Sequence, residues 1–489
     1  MKRIFVGAAF GALLLASPAF AQSLVLNGVT IIDTQTGKLT RNQSVAIDNG
    51  KVTQIARAGT IKPGAGAKVI DARGQYLVPG YLDMHVHSLN EPDPTASLEL
   101  MLANGITGVR QMSGSPEMLQ KRRDGQLKLP KDGPEILAVP GTVLTGANAG
   151  TPEAAVAEVD RQKQMGADFI KVIDVKPDPF FTALGEAKKL GLVFDGHLQS
   201  TSAIEKAADE GMSAIEHLGP RESVLLGCST DEDALRKIIA AKPPQAPPSA
   251  SESASADRAL RATTNPIMST DPISFDLMKR VVATYSENKC RDLTKRIKKD
   301  GMWMTPTLIR LRTMEFGDDP TYVKNADLRY VPAKTRALWN EMAQQFPAIV
   351  TPDRRAMLKR FWVLQLRLTK LLDESGVPMM AGTDAGGAGH WEVSGVALHQ
   401  EFDLLHQADL KPLTILQMTT INGAKFLHRD DHMGTVAVGK DANLVLLDGN
   451  PVGSEANLHR IDAVVRAGNF YPKDALEKLK QDAEKRAAE

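Results

Sequence analysis

Apolar and polar positions alternate in short runs from residue 23 to residue 78. Leu24-Val25-Leu26 leads to Asn27-Gly28 among the intervening turn signals, and residues 29–32 form a second run before the turn-like stretch 33–37. Ser44-Val45-Ala46-Ile47 then leads through Asp48-Asn49-Gly50 to Lys51-Val52-Thr53-Gln54-Ile55. Asn-Gly between alternating runs predicts a hairpin, and the stretch as a whole predicts about five short strands. So small an all-β piece closes no good core alone. A partner stands at the other end of the chain: Leu444-Val445-Leu446-Leu447, the turn Asp448-Gly449-Asn450-Pro451, and Ile461-Asp462-Ala463-Val464-Val465. The expectation is a small β-sandwich domain built from residues 22–78 and 434–472, with the middle of the chain inserted into it. Residues 473–489 read as a peripheral charged helix.

The middle, residues 79–433, has a different period. Strand-like runs such as Phe169-Ile170-Lys171-Val172-Ile173, Leu192-Val193-Phe194, Ala214-Ile215 and Met379-Met380 are separated by helix-like stretches at 151–165, 180–190 and 203–210. Strand–helix alternation predicts parallel strands and an α/β fold. Residues 242–270 break the rhythm. The run KPPQAPPSASESASAD at 242–257 has no apolar period and predicts a flexible insertion. Cys228 and Cys290 flank it, as one bridge clipping its base or as two buried thiols.

The N-terminus reads as an address. A basic Met1-Lys2-Arg3, an apolar run over 4–16 and Ala19-Phe20-Ala21 predict a secretory signal peptide over 1–21, cleaved after Ala21. The apolar run is shorter than the roughly 20 residues that span a bilayer. The protein is therefore expected in a periplasm or outside the cell, with no membrane anchor in its mature form. Lys and Arg number 59 against 58 Asp and Glu, so there is no bulk electrostatic reason to bind nucleic acid or an anionic surface. Two Cys in 489 residues exclude a cysteine-rich zinc module.

The chemistry lies at the ends of the apolar runs. His85-Val86-His87 places two imidazoles on one face of a strand, where they can share one metal ion. Lys171 interrupts an apolar strand; a buried lysine must be paired or neutral, and a neutral amine can form a carbamate with carbon dioxide. His197 and His217 each follow a short apolar run, and Asp384 ends one just before Gly386-Gly387. Singly, each has a structural reading. Their spacing unites them, because a barrel of roughly 250 residues has about 31 per strand–helix unit. His87, Lys171, His197, His217 and Asp384 then fall on strands one, four, five, six and eight. A (β/α)8 barrel brings those strand ends to one mouth, whereas an open sheet spreads them apart.

These residues resemble the amidohydrolase superfamily: the PGYLDMHVH run at 79–87, Lys171, His197, His217, the GTDAGG run at 382–387 and the GKDANLVLLDGNP ending at 439–451. The likeness is nearest to imidazolonepropionase-like proteins and Xaa-Pro or Xaa-Arg dipeptidases. It implies His85, His87 and Asp384 on a first ion, a carboxylated Lys171 as bridge, and His197 with His217 on a second. Zinc suits these ligands, with manganese, cobalt and iron also compatible. Asp384 would carry a proton from the attacking water to the leaving amine. The implied activity is hydrolysis of a C–N bond in a small substrate such as a dipeptide or N-acyl amino acid. The alternatives are a cyclic amide, lactone or phosphotriester hydrolase, an isomerase or decarboxylase, or a non-catalytic exported metal-binding protein. Homo-oligomerisation is left open.

The departures concern substrate contacts. The family's Arg-Asp after strand two is Arg110-Gln111 here, the Gly-rich stretch after the strand-four lysine is Asp174-Val175-Lys176-Pro177-Asp178-Pro179, and a later Asn-Pro is Asn422-Gly423. Arg110 could meet a substrate carboxylate. His390, in the loop after Asp384, is a second substrate-binding candidate, and Arg310 and Arg312 are weaker ones. His399 and His406 fall in a helix-like stretch and are expected to pack or face water.

Overall fold

The computed structural model describes residues 23–218, 223–242, 252–387 and 389–489. The expected signal peptide and residues 243–251 of the expected insertion lie outside the described residues. Along the chain run β1 (Leu24–Ile32), β2 (Leu39–Asp48), β3 (Lys51–Arg57), β4 (Lys68–Asp71), β5 (Tyr76–Pro79), β6 (Tyr81–Val86), β7 (Ile106–Gln111), β8 (Glu135–Ala138), β9 (Leu144–Thr145), β10 (Phe169–Asp174), β11 (Val193–Gly196), β12 (Ala214–Glu216), β13 (Trp303–Thr305), β14 (Leu444–Leu447), β15 (Ile461–Arg466) and β16 (Asn469–Pro472).

The strands of both termini share one sheet, in the order β16-β15-β14-β5-β1-β2-β3, with β4 parallel to β1. The two ends of the chain meet where β14 pairs antiparallel with β5, Leu446 opposite Leu77. The β2–β3 hairpin turns at Asn49-Gly50, both with positive φ (49° and 73°), as its tight twist requires. Asn27-Gly28 is not a turn. It lies inside β1, where the register against β2 shifts between Asn27 and Val29, so the extra residue is absorbed as a bulge.

The pairing is one continuous path rather than the two stacked sheets of a sandwich. Alternation explains why one sheet suffices. Leu444, Leu446, Ala463 and Val465 pack with Leu24, Leu26 and Leu77 in one cluster. Val78, Val445, Leu447 and Val464, pointing the other way, belong to the large core cluster that also holds Ile170, Val172 and Phe194. The second face is thus covered by the parallel-strand core.

That core is a ring of parallel strands. β6-β7-β8 form one run and β9-β10-β11-β12-β13 another. Asp168 N–H donates to Val139 O (3.0 Å), joining the two runs beside β8. The segment 379–385 closes the other side: Met380 N–H donates to Met304 O (2.9 Å) and Asp384 N–H to His85 O (2.8 Å). Single bridges Met304–Met379 and Val86–Ala385 are both parallel. The order agrees with a TIM-like barrel in which 379–385 is the last stave.

Two expectations change outside the ring. Residues Glu252–Thr264 of the expected flexible insertion form a helix, since Ala at 256, 259 and 262 favours helix and Asp257 pairs with Arg261 one turn on. The Lys473–Ala488 helix is docked rather than peripheral, burying Leu476, Leu479 and Ala483 and pairing Arg486 with Glu99. Cys228 and Cys290 are disulfide-bonded. No helix among the described residues is long and apolar enough to cross a membrane.

Candidate active site

His85 lies on β6, and His87 immediately follows it. His197 follows β11, its N–H donating to Val172 O (2.8 Å); His217 follows β12, its N–H donating to Thr305 O (2.9 Å). Gly196 precedes His197 because the backbone there has φ 133° and a Cβ would sit 2.1 Å from Val172 O. The rings converge: His85 and His217 have centroids 4.5 Å apart, His85 and His87 5.4 Å, and His197 and His217 4.9 Å. Asp384 Oδ1 lies 3.1 Å from His85 Nε2 and 2.9 Å from His87 Nε2. Ligand atoms of His85, His217 and Asp384 all lie within 4.8 Å of one another.

Three of the imidazoles are oriented from behind. His85 Nδ1 is 2.6 Å from Glu216 Oε2, a carboxylate that can only accept. His217 Nδ1 is 2.7 Å from Thr307 Oγ1, whose own proton goes to Pro306 O (2.8 Å). His87 Nδ1 is 2.9 Å from Ser113 Oγ, which donates to Asn90 Oδ1. Each Nδ1 therefore carries the hydrogen, and each Nε2 is left as a bare lone pair. Burial holds His87 below the usual imidazole range and His197 and His217 well below it.

The centre thus sets acceptor against acceptor: imidazole lone pairs and a carboxylate oxygen at contact distance. His85 Nε2 is buried without a hydrogen-bond partner, and so is Lys171 Nζ. Lys171 is 1% exposed, and burial lowers its pKa toward the neutral amine. Neutral imidazole nitrogens and carboxylate oxygens are the donor set of divalent transition ions, so the residues fit a metal. Backbone strain gathers in the same place. His217, Leu218, Thr307 and Asp384 all have positive φ (63°, 53°, 45° and 68°), a region that residues other than glycine enter only when their surroundings hold them.

The two expected substrate contacts are elsewhere. Arg110 is fully buried: Nε donates to Met84 O (2.7 Å), Nη1 to Asp195 Oδ2 and Nη2 to Glu216 Oε1 (both 2.6 Å). Its cation is consumed by two interior carboxylates and so meets no ligand. His390 is likewise buried, with Nδ1 facing Asn265 Nδ2 (3.2 Å), Nε2 facing Trp339 O (3.2 Å), and its ring stacked on Trp391. Both nitrogens are engaged by protein. Of the weaker candidates, Arg310 Nε is 3.0 Å from Asp384 Oδ2, while Arg312 pairs with Asp319. His399 is buried on its helix with Nε2 on Asn104 O, whereas His406 is exposed.

Sequence reasoning missed the residues behind the ligands: Glu216, Asp195, Thr307, Ser113 and Asp83. Asp83 accepts from His85 N–H, Thr383 N–H and Thr383 Oγ1, tying β6 to the last stave. A signal for the first two existed. Arg110, Asp195 and Glu216 each interrupt an apolar run, and together they set one cation against two carboxylates.

Residues 364–484, which include Asp384 and the closing strands, match the amidohydrolase family. An adenine deaminase of Rhizobium johnstonii is 28% identical over 220 residues, 43% of this chain and 34% of that protein. A dihydroorotase of Trichlorobacter lovleyi is 26% identical over 208 residues, 40% of this chain and 47% of that protein. The chain thus matches less than half the length of either relative. Among solved structures, bottromycin amidohydrolase superposes with TM-score 0.69 at 19% identity, covering 96% of this chain and 91% of its own. A Xaa-Pro dipeptidase with methionine bound in its active site gives 0.58 at 18%, covering 92% and 100%. Those two likenesses establish the fold.

Proposed function

We propose that this amidohydrolase is an exported, metal-dependent hydrolase of a C–N bond in a small substrate, of the dipeptide or N-acyl amino acid class. The observation that carries the reading is the cluster of His85, His87, His217 and Asp384, whose lone pairs face one another above an unpartnered Lys171 amine. His85, His87 and Asp384 would hold one ion, His197 and His217 a second, and Lys171 would bridge them as a carbamate. In forming it, the neutral amine makes an N–C bond to carbon dioxide and releases one proton. Bound divalent ions supply Lewis acidity toward the attacking water and the scissile carbonyl.

The side chains then have separate tasks. Glu216, Thr307 and Ser113 keep three imidazole lone pairs aimed inward. Asp384 Oδ2 meets Arg310 yet retains a second lone pair, so it can take the proton of the attacking water and return it to the leaving nitrogen. The adenine deaminase and dihydroorotase relatives favour a second reading, a cyclic amide or amidine substrate attacked by the same groups. Export is supported by the Cys228–Cys290 disulfide, a state that oxidising compartments maintain.

The test is elemental analysis of the purified mature protein beside Lys171→Ala, followed by a panel of dipeptides, N-acyl amino acids and cyclic amides. The expected result is about two divalent ions per chain, fewer in the variant, with turnover of the open-chain amides. One ion indifferent to Lys171 removes the bridge. No bound metal under replete conditions removes the hydrolase reading.

A further inference from the structure

We propose that Arg310 is a positioning residue for Asp384, and that the Glu252–Thr264 helix belongs to the site because its last carbonyls seat Arg310. The inference rests on the reading of Asp384 as a metal ligand.

Arg310 lies in the Leu308–Glu315 helix with its side chain 7% exposed. Nε faces Asp384 Oδ2 at 3.0 Å. Nη1 donates to Thr264 O (3.0 Å) and faces Glu392 Oε1 (3.2 Å); Nη2 donates to Thr263 O (2.6 Å). The guanidinium is planar and its donors point in fixed directions, so three anchored nitrogens fix the whole group. Thr263 and Thr264 end a helix, where carbonyls lack intrahelical donors and a cation is favoured. Asn265 adds a second staple between the same two helices, Nδ2 donating to Met314 O (3.1 Å).

Asp384 needs such a support. Its backbone is in the left-handed region, and its two oxygens do different things: Oδ1 meets the imidazoles of His85 and His87, and Oδ2 meets Arg310. Fixing Oδ2 fixes the plane of the carboxylate and therefore the direction in which Oδ1 points. Substrate binding is not what this arginine is arranged for, since Asp384, Glu392 and two backbone carbonyls already occupy its three nitrogens. The helix that supplies those carbonyls lies where the strand–helix rhythm of the barrel is interrupted.

The experiment compares the wild-type protein, Arg310→Met and Arg310→Lys, each in the full mature chain. It measures divalent-ion affinity by chelator competition, together with kcat, KM and Tm. Arg310→Met is expected to weaken metal affinity about 10- to 100-fold and to lower kcat with KM held within about twofold, and Arg310→Lys to restore part of both. A rise in KM confined to carboxylate-bearing substrates would make Arg310 a substrate contact and overturn the proposal. A lowered Tm with unchanged metal affinity and kcat would make it merely structural and also overturn it. Arg310→Met leaves Glu392 buried without its cation, so Arg310→Met/Glu392→Gln is measured alongside and should show the same losses in a folded chain. Asn265→Ala should shift metal affinity in the same direction by less; no shift removes the helix from the site. Wild-type protein that binds no divalent ion withdraws the underlying reading. Wild-type and Arg310→Met proteins that bind equally withdraw only the role of Arg310.

Discussion

Under the terminal sheet, Leu24, Leu26, Val45, Leu77, Leu444 and Leu446 are buried and carry no polar group. Inside the barrel, His85, Arg110, Lys171, Asp195 and Glu216 are just as buried, and every one is ionisable. The sheet is held by removing apolar surface from water, a favourable term wherever the side chains land. The barrel interior is tolerable because a buried arginine pairs with two of its carboxylates. Arg110 bonds Asp195 and Glu216 and lies between the rings of Phe169 and Phe426 (5.6 and 4.9 Å). Lys171 Nζ, His85 Nε2 and Asp195 Oδ1 are buried there without a hydrogen-bond partner, the first two beside the cluster of imidazoles and Asp384. Burial thus means apolar packing in one region and, in the other, ionisable groups held close to one another.

The largest test of that contrast is Arg110→Met. It strands Asp195 and Glu216, two buried carboxylates, and should destabilise the protein by about 3–5 kcal/mol. Urea unfolding of the variant measures the loss. Replacing all three by apolar residues of similar volume should recover much of the stability while leaving His85 Nδ1 without its acceptor. A single variant as stable as wild type would mean that the network contributes no net stability.

Leu446→Ala is the counterpart in the sheet. Leu446 is fully buried on β14 beside Leu77, so its truncation opens a cavity and should cost about 3 kcal/mol. Metal content and turnover of the folded protein should be unchanged, because no ligand is carried by that face. Loss of metal here would show that the two regions are coupled.

Acidity separates the regions next. Burial raises Glu315 and Glu401 to about 8, and Glu392 likewise, against an ordinary value of 4.5. Over that interval the folded chain holds protons that the unfolded chain has released. Their contribution to stability is complete below about pH 4.5 and is lost as pH rises through about 8. Glu315→Gln should flatten the decline by at most about 1.4 kcal/mol per pH unit. The buried polar residues of the terminal sheet and its turns are Thr34, Ser44 and Asn443, none of them titratable, so no sheet substitution should change the slope. Unfolding curves across that pH range decide it.

Much of this was legible in the chain. Period-two runs at both ends gave the strands of one sheet, and the apolar runs ending in His197, His217 and Asp384 gave the staves and their order. The bulge at Asn27-Gly28 was not, because a Gly pair step inside a strand and a tight turn look alike until the partner strand sets the register. Nor was the Glu252–Thr264 helix, whose alanines follow directly on a Pro/Ser tract. Arg110 and His390 were misplaced for one shared reason. Sequence shows that a polar residue lies near a strand end or in a loop, but not whether its partners are a ligand or Asp195, Glu216, Asn265 and Trp339 O. Thr307 could not be read as the partner of His217, since that contact joins residues 90 positions apart.

The smallest effect concerns an ion pair of the same chemical type in the other region. Lys51 Nζ lies 2.5 Å from Asp441 Oδ1, joining the first and last parts of the chain, with side chains 43% and 22% exposed. Water already solvates both groups, so the pair gains little by meeting, unlike Arg110 with its carboxylates. The backbone also makes the same connection: Val52 N–H donates to Lys440 O (2.9 Å), Gly439 N–H to Val52 O (2.8 Å) and Ala442 N–H to Gly50 O (2.8 Å). Lys51→Met should therefore change stability by no more than about 1 kcal/mol, and less in high salt. Unfolding at two ionic strengths checks it. A loss as large as that of Arg110→Met would mean that the sheet, too, depends on matched charge, and the contrast between the two regions would fail at its simplest point.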